Sequence, residues 1–211
     1  MTTALELYDR ALDADARLDY VLAGETLPAG LARWKGVHSP GDGGMLDRCA
    51  GPTLDIGCGP GRLVAALVGR GVSALGLDIS PVAVRLTRAR GGRAVRGDVF
   101  GRVPREGRWA TALLADGNIG IGGDPVRLLA RCRDLLAPGG SVVVELETPG
   151  AATAVAELRL RVDARVSAPF PWAFVSFADV PGLAYRAGLE ITEAWTEAGR
   201  WFAALGGAPA H

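Results

Sequence analysis

The sequence predicts an α/β domain built on a doubly wound, mostly parallel sheet, and three observations carry that prediction. Short apolar or β-branched runs alternate with helical periodicities from residue 52 to about 147, the order expected of successive strand–helix units. One run, ATALLA at 110–115, is continuously apolar, as a strand covered by helices on both faces should be. A glycine turn, GCGPG at 57–61, separates the first run from the helical pattern behind it, where a strand hands over to a helix.

Residues 3–22 read as an amphipathic helix, because Leu5, Leu12, Leu18 and Leu22 recur near the helical period among acids and arginines. Gly24, Pro28 and Gly30 end that pattern, GVHSPGDGG at 36–44 is a loop, and a helix at about 44–50 enters the main domain. Next come a strand at 53–56, a helix at 62–70 and a strand at 72–77. A helix then starts at Pro81 with Ser80 as its cap, followed by strands at 94–96 and 110–115. Asp124 and Pro125 open a helix to about 136, and the β-branched SVVVELE at 141–147 is a fifth strand. Beyond it, 155–162 and 171–177 are extended, 179–187 is helical, and 191–196 with 200–205 make a hairpin around Glu197-Ala198-Gly199. The expected organisation is one domain: an N-terminal helical cap or lid over 1–50 on an α/β core over 51–211, with the 155–177 stretch adding a small lid or a dimer contact.

Composition narrows the function. A chain of 211 residues suits a single domain of this class. Acidic and basic residues balance at 23 each, so no general field draws a polyanion and no nucleic-acid partner is expected. Lys35 is the only lysine; the wealth of Arg, Ala and Gly fits a GC-rich genome. Cys49, Cys58 and Cys132 form no CxxC pair, which suits a reducing cytoplasm, and with only His38 and His211 beside them no metal is expected. The start, MTTALELYDR, carries acids where a signal peptide is basic, and no apolar run reaches membrane-spanning length, so no membrane partner is expected. A monomer or homodimer is the default.

The glycine turn narrows the ligand. A dinucleotide fingerprint needs its third glycine at 62, where Arg62 stands, and a phosphate-binding P-loop needs a lysine that is absent here. The pattern is G-x-G-x-G, preceded by Asp55 two residues before the first glycine. That acid repels a pyrophosphate and suits a ligand bearing an ammonium or a sulfonium.

LDIGCGPGR at 54–62 resembles motif I of class I S-adenosylmethionine-dependent methyltransferases, and LGLDIS at 75–80, GDV at 97–99 and APGG at 137–140 resemble the family's later motifs, in order and spacing. The resemblance implies a Rossmann-like, seven-stranded, mostly parallel sheet ending in an antiparallel hairpin, S-adenosylmethionine as cofactor and S-adenosylhomocysteine as product. By it, Asp55 organises the methionine ammonium, and Gly57, Gly59 and Gly61 admit the cofactor's chain. Asp78 accepts from both ribose hydroxyls, Ile79 gives the adenine an apolar face, Asp98 accepts from its amino group and the Val99 amide donates to the ring. Cys58, inside the turn, borders the cofactor as a small filler rather than a nucleophile.

The acceptor is less legible. ADGNIGIGGDP at 115–125 resembles a loop of small bacterial methyltransferases, and follows the fourth strand, where the ligand crevice of such a sheet lies. It is not the (D/N)PPY loop of base and glutamine N-methylation, and the acids of a metal-dependent catechol site are missing. Asp116 either orients cofactor or acceptor and acts as a base, or caps a turn together with Asn118. His38 either deprotonates a hydroxyl acceptor or is a solvated turn residue; Tyr8, Tyr20 and Trp34 share its N-terminal arm, which in related enzymes folds over the substrate. Trp172, Trp195 and Trp201 are core or pocket wall. The expected reaction is methyl transfer to a small molecule at O, N or C. The other readings are a catalytically silent cofactor-binding subunit and a Rossmann oxidoreductase.

Overall fold

The structure, a computed structural model, describes residues 2–207; His211 lies outside the described residues. In chain order the elements are α1 (Ala4–Ala14), β1 (Asp19–Leu22), β2 (Glu25–Pro28), α2 (Leu31–Lys35), α3 (Asp42–Asp47), β3 (Thr53–Ile56), α4 (Arg62–Gly69), β4 (Ala74–Asp78), α5 (Pro81–Ala89) and β5 (Ala94–Arg96). They continue with β6 (Trp109–Leu114), α6 (Pro125–Leu135), β7 (Leu136–Leu146), β8 (Ala154–Val162), β9 (Arg165–Val166), β10 (Phe170–Phe174), α7 (Val180–Arg186), β11 (Leu189–Glu197) and β12 (Arg200–Gly207).

The main sheet has seven strands in the order β11-β12-β7-β6-β3-β4-β5. Its five strands from β7 to β5 are parallel, and β12 runs antiparallel to both β7 and β11. Glu197 pairs with Arg200 across a two-residue turn whose Ala198 and Gly199 both have positive φ, the conformation that closes tight hairpins. The chain runs outward from β3 to β5 and returns to β6 on the other side of β3. The strand order therefore reverses between β3 and β6, where a ligand crevice is expected at the carboxyl ends.

Alternation along the strands fills both faces. Leu54, Ile56, Ala112 and Leu114 pack with Leu128 and Leu129 of α6, while Leu113, Val143 and Phe202 face Leu63, Val64 and Leu67 of α4. Each such leucine, wholly withdrawn from water, contributes ~1.5–3 kcal/mol. The strand ending in SVVVEL begins earlier than the sequence predicts, at Leu136. Ala137–Gly140 form an irregularity, since Trp109 pairs with Leu136 but Thr111 with Ser141.

The N-terminal region departs from expectation. The predicted helix over 3–22 stops at Ala14, because Asp15 turns left-handed (φ 51°) and its N–H caps Ala11. The start is held by a capping box, Glu6 N–H to Thr3 Oγ1 at 3.2 Å and Thr3 N–H to Glu6 Oε2 at 2.7 Å. Leu18 then leads into a strand that ends at Leu22 and returns through Ala23-Gly24, both at positive φ, into β2. The region expected to be a helical cap is thus half sheet, and it is not self-contained. β1 pairs with β8, and β8 with β10, so a second sheet, β10-β8-β1-β2 with β9 beside β8, joins the arm to the 154–174 stretch. Leu7, Leu12 and Leu18 bury against Ala83 of α5 and Leu160 and Val162 of β8, fastening this roof to the core. No helix among the described residues is long and apolar enough to cross a membrane.

Candidate functional site

At the switch point, under the roof, lies a cavity of about 410 Å³. The glycine turn forms its floor. Gly57 N–H still donates to Leu77 O of β4 at 2.8 Å, so the turn leaves the sheet in a fixed direction. Gly57 (φ 71°) is the close approach: a Cβ there would come 2.7 Å from Asn118 Nδ2. Asn118 Nδ2 itself donates to Ile56 O at 2.8 Å and Gly57 O at 2.9 Å, so Asn118 braces the turn.

Gly61 corrects an expectation. It is the cap of α4 at φ 84°, a Cβ on it would come 2.7 Å from the Cα of Thr87 on α5, and it does not line the cavity. Its glycine serves helix packing rather than cofactor entry. Gly61→Ala is expected to lower stability by roughly 2–4 kcal/mol, combining a left-handed backbone with a clash against main chain; a loss under about 0.5 kcal/mol in urea unfolding would contradict this.

Asp55, next to last in β3, is 1% exposed, and its Oδ2 has no hydrogen-bond partner although the residue borders the cavity. Burial first, and the charge of Asp116 second, push its carboxyl up to about 7. Asp78 ends β4. Its Oδ2 accepts from Gly59 N–H at 2.9 Å and its Oδ1 from Ser80 N–H at 2.8 Å, which leaves each oxygen a second lone pair. Burial raises its carboxyl above the ordinary range despite those amides. Ile79 is half exposed on the cavity's rim, Val99 is buried beside it, and exposed Asp98 accepts from Phe100 N–H at 3.0 Å; all three line the cavity. Cys58 also lines it. Burial raises its thiol, Gly76 of β4 leaves the room it occupies, and it fits the filler's part.

The roof supplies the opposite wall with Tyr8, Leu18, Tyr20 and Trp34 from the arm and Leu160, Phe170 and Trp172 from the second sheet. Tyr8 meets Trp34 edge-on, ring centres 6.3 Å apart. Burial, then Asp78, raises the Tyr8 phenol well above its ordinary value. Burial, then Asp116, pushes Tyr20 up to about 12. Both phenols stay protonated at neutral pH and serve as donors rather than bases.

His38 is exposed on the loop between α2 and α3 and does not line the cavity, so it is displaced from the catalytic part considered for it. Asp116 does border the cavity, but it is neither an open base nor a turn cap. Its Oδ1 pairs with Arg33, and its Oδ2 accepts from Arg62 Nη2 at 2.6 Å. Both oxygens are engaged by guanidiniums, which fix the side chain's position.

That pairing belongs to a network the sequence did not reveal. Arg62, 2% exposed in its side chain, also pairs with Asp42. Arg200 donates to Asp42 Oδ1 at 2.9 Å and forks onto Glu145 at 2.9 and 2.8 Å. Glu145 Oε2 in turn accepts from Asp116 N–H at 2.6 Å, fixing that residue's left-handed backbone (φ 55°). Burial opposes ionisation of Asp42 and Glu145, but the guanidinium hydrogen bonds outweigh it and hold both carboxyls low. The partners lie 20 to 158 residues apart, so no spacing advertises them. The one local signal is an arginine opening the apolar helix RLVAALVG.

A family profile described as a methyltransferase domain matches residues 53–140. No curated protein matches the chain. Among solved structures, it is similar to a SAM-dependent methyltransferase from Bacteroides fragilis, crystallised with S-adenosyl-L-homocysteine (TM-score 0.76, 20% identity, 96% of this chain and 93% of that one). It is also similar to the sugar N-methyltransferase KedS8 from Streptoalloteichus sp. (TM-score 0.61, 17% identity, 85% and 91%). A third similar structure is 1,6-didemethyltoxoflavin-N1-methyltransferase from Burkholderia thailandensis, with 1,6-didemethyltoxoflavin and S-adenosylhomocysteine bound (TM-score 0.54, 17% identity, 74% and 71%).

Proposed function

We propose that this chain is a class I S-adenosylmethionine-dependent methyltransferase that moves a methyl group onto a small-molecule acceptor in the cytoplasm, a reading supported by the methyltransferase-domain match at 53–140. One observation carries the reading: Asp55, whose buried Oδ2 has no hydrogen-bond partner, stands in the wall of the same cavity as Gly57, Gly59 and Asp78. A cationic, ammonium-bearing ligand fits that oxygen, and a pyrophosphate does not. The small-molecule acceptors named for the relatives from Streptoalloteichus and Burkholderia support the acceptor's class. The three cysteines, buried and unpaired, suit a reducing compartment.

S-adenosylmethionine, when bound, supplies an electrophilic methyl group on a sulfonium. The chain's own residues bind and align. Asp55 accepts from the ammonium, and the bare backbone at Gly57 and Gly59 lets the methionine part lie close. The free lone pairs of Asp78 accept from the ribose hydroxyls, while Ile79, Asp98 and Val99 border the adenine. Asp116, with both oxygens paired to Arg33 and Arg62, is fixed in place beside the cavity. Tyr8, Trp34 and Trp172 exclude water from above. Alignment of this kind can supply roughly 7–11 kcal/mol of the barrier, so the reaction needs no dedicated base.

Calorimetry tests the reading. S-adenosylmethionine is expected to bind, and NADH is not. Because only ionised Asp55 receives the ammonium, affinity is expected to rise from pH 5.5 towards 7, by up to about tenfold per unit, and then level off. Binding of NADH without S-adenosylmethionine would overturn the assignment.

A further inference from the structure

Beyond Asp116 the cofactor cavity adjoins a second one of about 300 Å³, and the two share Tyr20, Asp116 and Trp172 as common wall. This second space lies past the carboxyl ends of β6 and β7, beside β10 and the turn of the β11–β12 hairpin, and no residue of the segments 54–62, 75–80, 97–99 and 137–140 lines it. We propose that it is the acceptor chamber and that the acceptor is a small molecule bearing an amine, drawn by the Glu147 carboxylate into a box of aromatic rings. The proposal rests on the methyltransferase reading above.

Charge decides the class. Five charged residues line the chamber: Arg33, Asp116, Glu145, Glu147 and Arg200. Four of them are satisfied by one another: Arg33 holds Asp116, and Arg200 holds Glu145. With Arg62 and Asp42, which complete that network, three guanidiniums face three carboxylates. Glu147 stands outside it. Its backbone is fixed, N–H to Val175 O at 2.9 Å and O accepting from Phe177 N–H at 3.0 Å. Its carboxylate has no hydrogen bond or ion pair among the described residues. The chamber therefore presents one uncompensated negative charge.

Four aromatic residues, Tyr20, Trp172, Phe174 and Trp201, line it too, with aliphatic and small residues such as Ile119, Leu146 and Val175 between them. Aromatic rings around a carboxylate favour a cation, through ring quadrupoles as well as charge. A carboxylate-bearing acceptor meets the opposite sign, and a neutral alcohol gains nothing from Glu147 beyond one hydrogen bond. The amine arrives as its ammonium and releases a proton to solvent, which exposed Glu147 faces. The freed nitrogen lone pair then forms the N–C bond as the S–C bond of the donor breaks. That bond's electron pair stays on sulfur as a neutral thioether, and the product leaves as a methylammonium.

The test uses the intact chain with S-adenosylmethionine and follows S-adenosylhomocysteine release over a matched library of primary and secondary amines, each beside its alcohol analogue. Amines are expected to be preferred by at least about tenfold in kcat/KM. E147Q is expected to raise KM for the best amine by about tenfold or more, E147D to recover part of it, and the cofactor Kd to stay at the wild-type value. Turnover of alcohols alone, no turnover of any amine, or an E147Q KM within twofold of wild type would overturn the proposal. Failure of S-adenosylmethionine to bind at all would instead remove the methyltransferase reading beneath it.

Discussion

Asn in place of Asp55 is expected to weaken S-adenosylmethionine binding by roughly ten- to hundredfold, the worth of one charge-assisted hydrogen bond, and yet to raise the melting temperature of the ligand-free protein at pH 8. The two effects share a cause. Burial, and then the nearby Asp116 anion, raise the Asp55 carboxyl to about 7 in the folded chain, against an ordinary value of 3.8. A group raised by folding contributes stability that is complete below pH 4 and is lost as the pH climbs through 7. At pH 8 the wild type therefore carries a buried, unpartnered charge, whereas the amide is neutral at every pH. Allowing for the imperfect bonding of a buried amide, the gain is about 1–3 kcal/mol, or roughly 3–10 °C for a chain of this size. Scanning calorimetry at pH 5 and pH 8 checks it. The two proteins should converge at the lower pH and separate at the higher, with the variant above. A variant that melts below wild type at pH 8 while binding the cofactor normally would show that this carboxylate faces no ligand.

Arg62→Met is expected to cost about 3–5 kcal/mol, because removing one member of a buried ionic network strands its partners. Here the stranded groups are Asp42, at 2% side-chain exposure, and Asp116. At roughly 2–4 °C per kcal/mol, the melting temperature should fall by about 6–20 °C. The pH dependence should change as well. Asp42 and Glu145 are held below the ordinary carboxylate range, so their contribution is complete at neutral pH and lost as the pH falls through their lowered values. Without Arg62 the Asp42 carboxyl protonates more readily, and acid unfolding should move to higher pH. A melting point within 2 °C of wild type would mean that Arg62 is dispensable to the arm's attachment.

That Asp55, Asp78 and Asp98 gather at one cavity was legible in the sequence because each element is local. Asp55 stands next to the end of its strand, Asp78 at the end of its own and Asp98 just beyond a third, and parallel pairing of β3, β4 and β5 brings three strand ends to one edge. Turn chemistry marks them further: glycines where φ is positive, and Ser80-Pro81 where a helix begins. Even there the packing role of Gly61 was invisible, since only the approach of α5 shows that the glycine makes room for Thr87.

The roof was misread for a related reason. Leu18 and Leu22 keep helical spacing, but tight turning at Asp15 and Ala23-Gly24, and a partner strand at 154–162, make 19–22 a strand. The chain by itself determined the fold class, the order of the strands' motifs and the ligand's charge, all properties of consecutive residues. Only the tertiary structure decided which guanidinium meets which carboxylate, that His38 stands away from the cavity, and that Glu147 is left without a partner beside four aromatic rings. Ion pairs and cavity walls join residues up to 158 positions apart, and their energies depend on burial and distance, which no periodicity along the chain records.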